Sequence, residues 1–402
     1  MKTLRSWFIT AVAIAGLAAC GGSDPYVPGS GSPAGAPTAK GSFTAIVSFG
    51  DSLSDVGTYK PATSLVGGGA APYFGGRFTT NATTDAVEPV AAGGVWVEDL
   101  ATSLGLVVTQ AELGFAGSSV KCPAAAVPAL AATCTGYGQG GARVTDAEGI
   151  GKAGGALTVP VRTQIANHLA AFGSFKASDL VFVWAGANDV FVQFGSFAAQ
   201  AAQIQANAAA GLITADQAKA LLLNAQTAAQ AGMKQAALEL GAYVNDEILA
   251  KGGVYVAVMN LPDIAGTPFG QSVPADARPV LTGLSEIFNL WLREALTGKP
   301  VLWVDAMSII RSFTADPAAY GFANASLPAC DAAKISAVTG GAVTDGSSLF
   351  CNATPGAPYN GLRDGADPLT WAFADGVHPT TGGHAVLATE FAKQLRSVGW
   401  ID

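Results

Sequence analysis

Ala45-Ile46-Val47-Ser48-Phe49-Gly50-Asp51-Ser52-Leu53 is the stretch from which the rest of the chain can be read. Its first five residues are apolar and β-branched enough for a short buried strand, and Gly50-Asp51-Ser52 is a sharp exit from it. In open α/β sheets, chemistry gathers beyond the carboxyl ends of the strands. A serine at such a point meets solvent and substrate. Gly-Asp-Ser is also an ordinary turn tripeptide, so its meaning depends on what the chain supplies elsewhere.

Working outward, further buried strands are predicted at Leu180–Trp184, Val254–Met259 and Val301–Val304. Helical patterns run over Trp96–Leu104, Thr163–Ala171, Leu284–Leu296 and Thr381–Val398. Strands alternating with helices argue for an α/β fold with a mainly parallel sheet covered on both faces. Right-handed crossovers then bring all strand exits to one edge. Residues 197–251 differ, being rich in Ala and Gln and broken at Gly211–Asp216. Thr214 with Gln217 three residues on is a helix-start pattern. We expect an inserted α-helical hairpin here, either a lid or a structural elaboration.

Composition narrows the function classes. Of 402 residues, 50% are hydrophobic and 12% charged, against roughly 25% charged in an average soluble domain. Such a surface suits a neutral secreted protein or one that meets apolar or polymeric material. The net charge of −8 and the lack of a Lys/Arg cluster exclude a nucleic-acid partner.

The start of the chain reads as an export signal over residues 1–19. Lys2 and Arg5 precede the apolar stretch Trp7–Gly16. Leu17-Ala18-Ala19-Cys20 resembles a bacterial lipobox. That resemblance implies cleavage before Cys20, lipidation of Cys20 and membrane anchoring. Gly21 rather than Asp after the cysteine favours the outer membrane of a Gram-negative bacterium; a plain secretory peptide, giving a secreted or periplasmic protein, is the alternative. Residues up to 42 are a Gly/Pro/Ser-rich tether, and the folded domain spans 43–402. Four cysteines remain, Cys122, Cys134, Cys330 and Cys351, an even number that reads as disulfides in an exported protein. Three pairings are possible; the sequence-near one, Cys122–Cys134 with Cys330–Cys351, is expected. No Cys-x-x-Cys spacing points to a metal.

A serine needs a base before it can attack. The chain offers three histidines. His168 lies on an amphipathic helix and is expected at its surface or in helix packing. His384 opens a helix, where capping is its expected role. His378 lies in Asp375-Gly376-Val377-His378-Pro379. An aspartate three residues earlier can hold one imidazole nitrogen while the other faces a nucleophile. The order Ser52, Asp375, His378 matches the α/β-hydrolases, but their Gly-x-Ser-x-Gly elbow is missing. Donors for an oxyanion are available in Trp184-Ala185-Gly186-Ala187-Asn188-Asp189 and in the glycine-dense Gly136–Arg143. The latter formally matches a dinucleotide fingerprint, but no strand precedes it and no acidic residue follows at the required distance.

Taken together, the chain resembles the SGNH, or GDSL, hydrolases. Phe49-Gly50-Asp51-Ser52-Leu53-Ser54-Asp55-Val56-Gly57 is similar to their first block. Gly76-Arg77-Phe78-Thr79-Thr80-Asn81, Val95–Ala101 and Gly138-Gln139-Gly140-Gly141-Ala142-Arg143 resemble the second, Gly186-Ala187-Asn188-Asp189 the third, and Asp375–Pro379 the last. The resemblance implies a three-layer α/β/α sandwich of flavodoxin-like order. It implies Ser52 as nucleophile, His378 as base and Asp375 as its partner. The oxyanion hole would be formed by the Ser52 and Gly141 N–H groups and the Asn188 amide. Two departures stand out: Gly136 replaces the family's usual Asn, and an insertion carrying Cys122 and Cys134 splits the second block.

The expected function is a serine ester hydrolase, carboxylesterase or lipase-like, needing no cofactor and no metal. Its partners would be a small-molecule or lipid ester and, through the anchor, a membrane. A phospholipase or acyltransferase and a polysaccharide O-acetyl esterase could use the same residues. A non-catalytic surface-binding lipoprotein is the alternative from another class.

Overall fold

The computed structural model describes residues 43–65, 75–81, 93–354 and 360–402; the export signal, Cys20 and the tether lie outside them. In chain order the strands and α-helices are β1 (Ala45–Gly50), α1 (Lys60–Leu65), α2 (Trp96–Ser103), β2 (Glu112–Phe115), β3 (Ser118–Lys121), α3 (Val161–Phe172), β4 (Asp179–Trp184), α4 (Ala187–Ala209) and α5 (Ala215–Tyr243). They continue as β5 (Tyr255–Met259), α6 (Pro268–Ser272), α7 (Arg278–Leu296), β6 (Leu302–Val304), α8 (Ala306–Ala315), α9 (Ala332–Val338) and α10 (Thr381–Ser397).

The four expected strands pair in parallel in the order β1-β4-β5-β6. A short extended segment around Gly136 adds to the free edge of β1, with Ser48 N–H donating to Thr135 O at 2.9 Å and Tyr137 N–H to Ser48 O at 2.8 Å. Counting that segment second along the chain, the spatial order is 2-1-3-4-5. The direction of winding therefore reverses between β1 and β4, which opens a crevice beyond their carboxyl ends.

Each strand buries both faces, and the period of two divides its residues between two cores. Val47, Phe49, Val181, Val183, Val256 and Val258 enter one core, together with apolar faces of α3, α4, α5 and α7. Ile46, Leu180, Phe182, Trp184, Ala257 and Met259 enter the other, against α2, α8 and α10. The result is the expected three-layer sandwich. Trp96 and Trp184 are core residues, their rings 6.0 Å apart and both edge-on to Phe391. Each such side chain fully buried contributes about 2–3 kcal/mol, so the tryptophans are committed to stability.

The Ala- and Gln-rich stretch forms α4 and α5, which pack on each other. The first helix starts at Ala187, at the exit of β4, and not near residue 197. Thr214 and Gln217 cap α5 reciprocally, at 2.8 and 3.2 Å. Met233, Ala237 and Leu240 of α5 are fully buried under the sheet. That half of the hairpin is therefore part of a layer. Cys122 is bonded to Cys134 in the loop after the β2–β3 hairpin, and Cys330 to Cys351 in the loops around α9.

Candidate active site

The nucleophile side is built where β1 and β4 end together. Gly50 is in register with Trp184, and a Cβ at Gly50 would collide with the Trp184 carbonyl. Only glycine lets the two exits approach so closely. Both backbone groups of Gly50 are held by one side chain: its N–H donates to Gln164 Oε1 at 2.9 Å, and Gln164 Nε2 donates to its carbonyl at 2.7 Å. Asp51 folds under the turn and accepts the Leu53 N–H at 3.2 Å. Burial pushes its carboxyl up to about 7. Ser52 then opens a single turn of 3-10 helix, Ser52–Ser54. Groups at such a start have no acceptor within the helix, and among the described residues none accepts the Ser52 N–H.

The base arrives from the other end of the chain. Ala374 N–H donates to His378 O at 2.7 Å, closing Asp375-Gly376-Val377 into a tight loop before α10. Asp375 Oδ1 accepts the Val377 and His378 N–H groups at 2.9 and 2.8 Å. His378 Nδ1 lies 2.7 Å from Asp375 Oδ2, and Nε2 lies 2.8 Å from Ser52 Oγ. A carboxylate only accepts, so Nδ1 carries the hydrogen and Nε2 is left to accept from the serine hydroxyl. Burial opposes ionisation of Asp375, but the adjacent imidazole and the donated hydrogen bonds hold its carboxyl well below the usual range. The Phe78 ring packs on the imidazole, centroid to centroid 4.9 Å.

The glycine turn and the start of α4 complete the crevice. Ala142 N–H donates to Gln139 O at 3.0 Å, and Gly141 has φ +78°. A four-residue turn of that kind needs glycine at its third position. Gly140 N–H is taken by Asp55 Oδ2 at 2.9 Å, whereas Gly141 N–H has no acceptor among the described residues. Asn188, on the first turn of α4, donates one amide hydrogen to Ala142 O at 2.9 Å. Its other amide hydrogen remains available. Asp189 straps the same two segments together, accepting from Arg143 Nε at 2.9 Å and Val144 N–H at 3.0 Å. Gly136, the departure noted in the sequence, lies in the sheet edge, bridging both Ser48 and Gln110.

Ser52, His378 and Asp375 thus form one hydrogen-bonded relay, with Asn188 and Gly141 on the neighbouring strand exits. Such an arrangement can deprotonate the serine during attack and meet a developing oxyanion with preorganised donors. His384 is not a cap: Thr380 caps α10 by accepting the Gly383 N–H at 3.0 Å. His384 is fully buried, and that burial lowers its imidazole to about 3. His168 packs inside, between Phe49, Tyr137, Phe172 and Phe175. Sequence reasoning gave no part to Gln164, nor to Ser348, whose N–H donates to Asp375 Oδ2 at 2.8 Å. Asp55 was visible only as one letter of a motif; its Oδ1 accepts the Gly57 and Thr58 N–H groups while Oδ2 holds Gly140.

The family model described as GDSL-like lipase/acylhydrolase matches residues 46–391. No curated relative matches the chain.

Proposed function

As a member of the GDSL-like lipase/acylhydrolase family this chain is a hydrolase acting on ester bonds, and we propose that Ser52, His378 and Asp375 carry the reaction. The observation that supports this assignment is the continuous relay from Ser52 Oγ to His378 Nε2 at 2.8 Å and from Nδ1 to Asp375 Oδ2 at 2.7 Å. Ser52 Oγ attacks the ester carbonyl while His378 Nε2 takes its proton. Asp375 keeps the imidazole in the productive tautomer and stabilises the imidazolium that forms. The tetrahedral oxyanion is met by the Ser52 and Gly141 N–H groups and the second amide hydrogen of Asn188. His378 then protonates the leaving alkoxide. Water, deprotonated by the same imidazole, releases the acid and regenerates Ser52.

The substrate we propose is a carboxylic ester of small-molecule or lipid origin. Ser52→Ala is expected to lower turnover of a chromogenic short-chain ester by several orders of magnitude with the fold intact. Turnover near the wild-type rate would sink the assignment. Rates across acyl-chain length, acetate release from acetylated glycans and product analysis with alcohol acceptors separate esterase, deacetylase and acyltransferase.

We also propose that the protein is exported and anchored through Cys20. The two disulfides support an oxidising compartment. Incorporation of labelled palmitate, lost in Cys20→Ala, is the expected result; equal labelling of the variant would contradict it.

A further inference from the structure

Among the described residues, Asp375 is held from outside its own loop by a single backbone group. Two of its donors, Val377 and His378, are two and three residues away and belong to the local turn. The Ser348 N–H, at 2.8 Å from Oδ2, comes from a different segment. Ser348 is the first residue of a short 3-10 helix, Ser348–Phe350. Its N–H has no acceptor within that helix and is aimed at the carboxylate instead.

The segment carrying Ser348 is fastened immediately afterwards. Cys351 is bonded to Cys330. Cys330 N–H donates to Ala374 O at 2.8 Å and Ala329 N–H to Phe373 O at 2.8 Å, so the cystine lies along the strand-like run leading into Asp375. Asn81 adds three bonds, from its side-chain amide to Ser348 O at 3.0 Å, from its N–H to Cys351 O at 2.9 Å, and at its carbonyl, which accepts the Ala353 N–H at 2.7 Å. Cys330 and Cys351 pack with Ala329, Ile335, Leu362 and Ala374 in a small apolar cluster of their own. That cluster is distinct from the two cores that flank the sheet. Opening the disulfide therefore loosens the support of Asp375 without removing either main core.

Resting on the assignment of Asp375 above, we propose that Ser348 is a positioning residue for the Asp375 carboxylate, acting through its backbone N–H. We further propose that the Cys330–Cys351 disulfide keeps this N–H in place, so that full turnover requires that disulfide closed. The carboxylate is buried beside the imidazole, and a buried ionised group left short of a donor shifts to find another. Rotation of Asp375 would turn the imidazole away from Ser52.

The backbone provides a selective test. Ser347 has φ −50° and ψ 127°, outside the helical region that a following proline disfavours. Position 348 is a helix start, where proline is accommodated because its N–H is not used by the helix. Ser348→Pro removes the donor, while Ser348→Ala keeps it. On a short-chain ester, Ser348→Pro is expected to lower kcat about 10- to 100-fold, as for loss of a hydrogen bond to a charged group, with KM within about two-fold. Ser348→Ala should recover most of that loss. The low-field proton resonance of His378 Nδ1–H should weaken or shift in Ser348→Pro at temperatures where circular dichroism shows the protein folded.

Dithiothreitol treatment supplies a second route. Two electrons and two protons pass to the Cys330 and Cys351 thiols, and the reagent closes to its cyclic disulfide. Wild-type kcat should fall on reduction, the Cys330→Ala/Cys351→Ala variant should start low, and that variant should not respond further. Unchanged kcat in the folded cysteine variant and in the reduced wild type would overturn the proposal, even if Ser348→Pro failed to fold. Asp375→Asn separates the two levels. If it abolishes turnover while the Ser348 and cysteine variants keep theirs, only the positioning role fails. If Asp375→Asn is itself fully active, the assignment of Asp375 fails.

Discussion

The two sides of the crevice are held by different means. Ser52, Asn188 and Gly141 sit at strand exits and are pinned by buried side chains: Gln164 on Gly50, Asp55 on Gly140, and Asp189 on Arg143 and Val144. Those supports are continuous with the core beneath β1 and β4. Asp375 and His378 hang on a loop supported by a backbone N–H, a cystine and a small separate cluster. The difference teaches that rigidity of the nucleophile side follows from folding the sheet, whereas the base side needs its own fastening. Damage to the first should cost stability and turnover together. Damage to the second should cost turnover while leaving the two main cores in place.

The largest effect short of the relay itself is expected at Asn188. Asn188→Ala removes an oxyanion donor and the bond to Ala142 O, and should lower kcat about 100- to 1,000-fold, with little change in KM. A raised KM at unchanged kcat would make Asn188 a binding group and remove it from the hole. Gln164→Leu comes next, because it leaves the Gly50 N–H without its partner in a buried place and the Gly50 carbonyl with only the Gln139 N–H, at 3.3 Å. A loss of about 2–3 kcal/mol in denaturant unfolding, accompanied by lower kcat, is expected. Full stability with impaired kcat would break the comparison, since the nucleophile side would then behave like the base side.

His168 gives the smallest and most pH-dependent effect. Burial lowers its imidazole to about 4 from the usual 6.5, and among the described residues neither ring nitrogen has a hydrogen-bond partner. Between those values the unfolded chain takes up a proton that the folded chain does not, so this residue's contribution to stability falls as the pH drops through the window. His168→Phe removes the titration. Its stability relative to wild type should rise by on the order of 1–2 kcal/mol between pH 7 and pH 5. A pH-independent difference between the two proteins would show that His168 does not titrate as its burial implies.

What could be read from the sequence were features written in residue types. The four parallel strands are short apolar runs, and the motif blocks follow one another in family order, so the strand exits and the residues of the relay were legible. The helix around His384 was legible as well, its start at Thr381 included, but not which residue caps it. Thr380 lies four residues earlier and takes the cap, leaving the histidine inside. Ser348 was invisible because its contribution is a backbone N–H, which every residue but proline possesses. Gln164 was invisible because its role depends on α3 crossing beneath β1, a tertiary contact that no local period encodes. The early start of α4 was missed because the Ala- and Gln-rich composition that marks the hairpin begins only near residue 197, whereas the helix starts at Ala187.

The central claim is that Ser52 is the nucleophile of a relay completed by His378. A fluorophosphonate probe followed by peptide mass spectrometry tests it most directly. The adduct is expected on the peptide containing Ser52, absent from Ser52→Ala, and formed far more slowly in His378→Ala. An adduct on another residue, or labelling of Ser52→Ala at the wild-type rate, would contradict it.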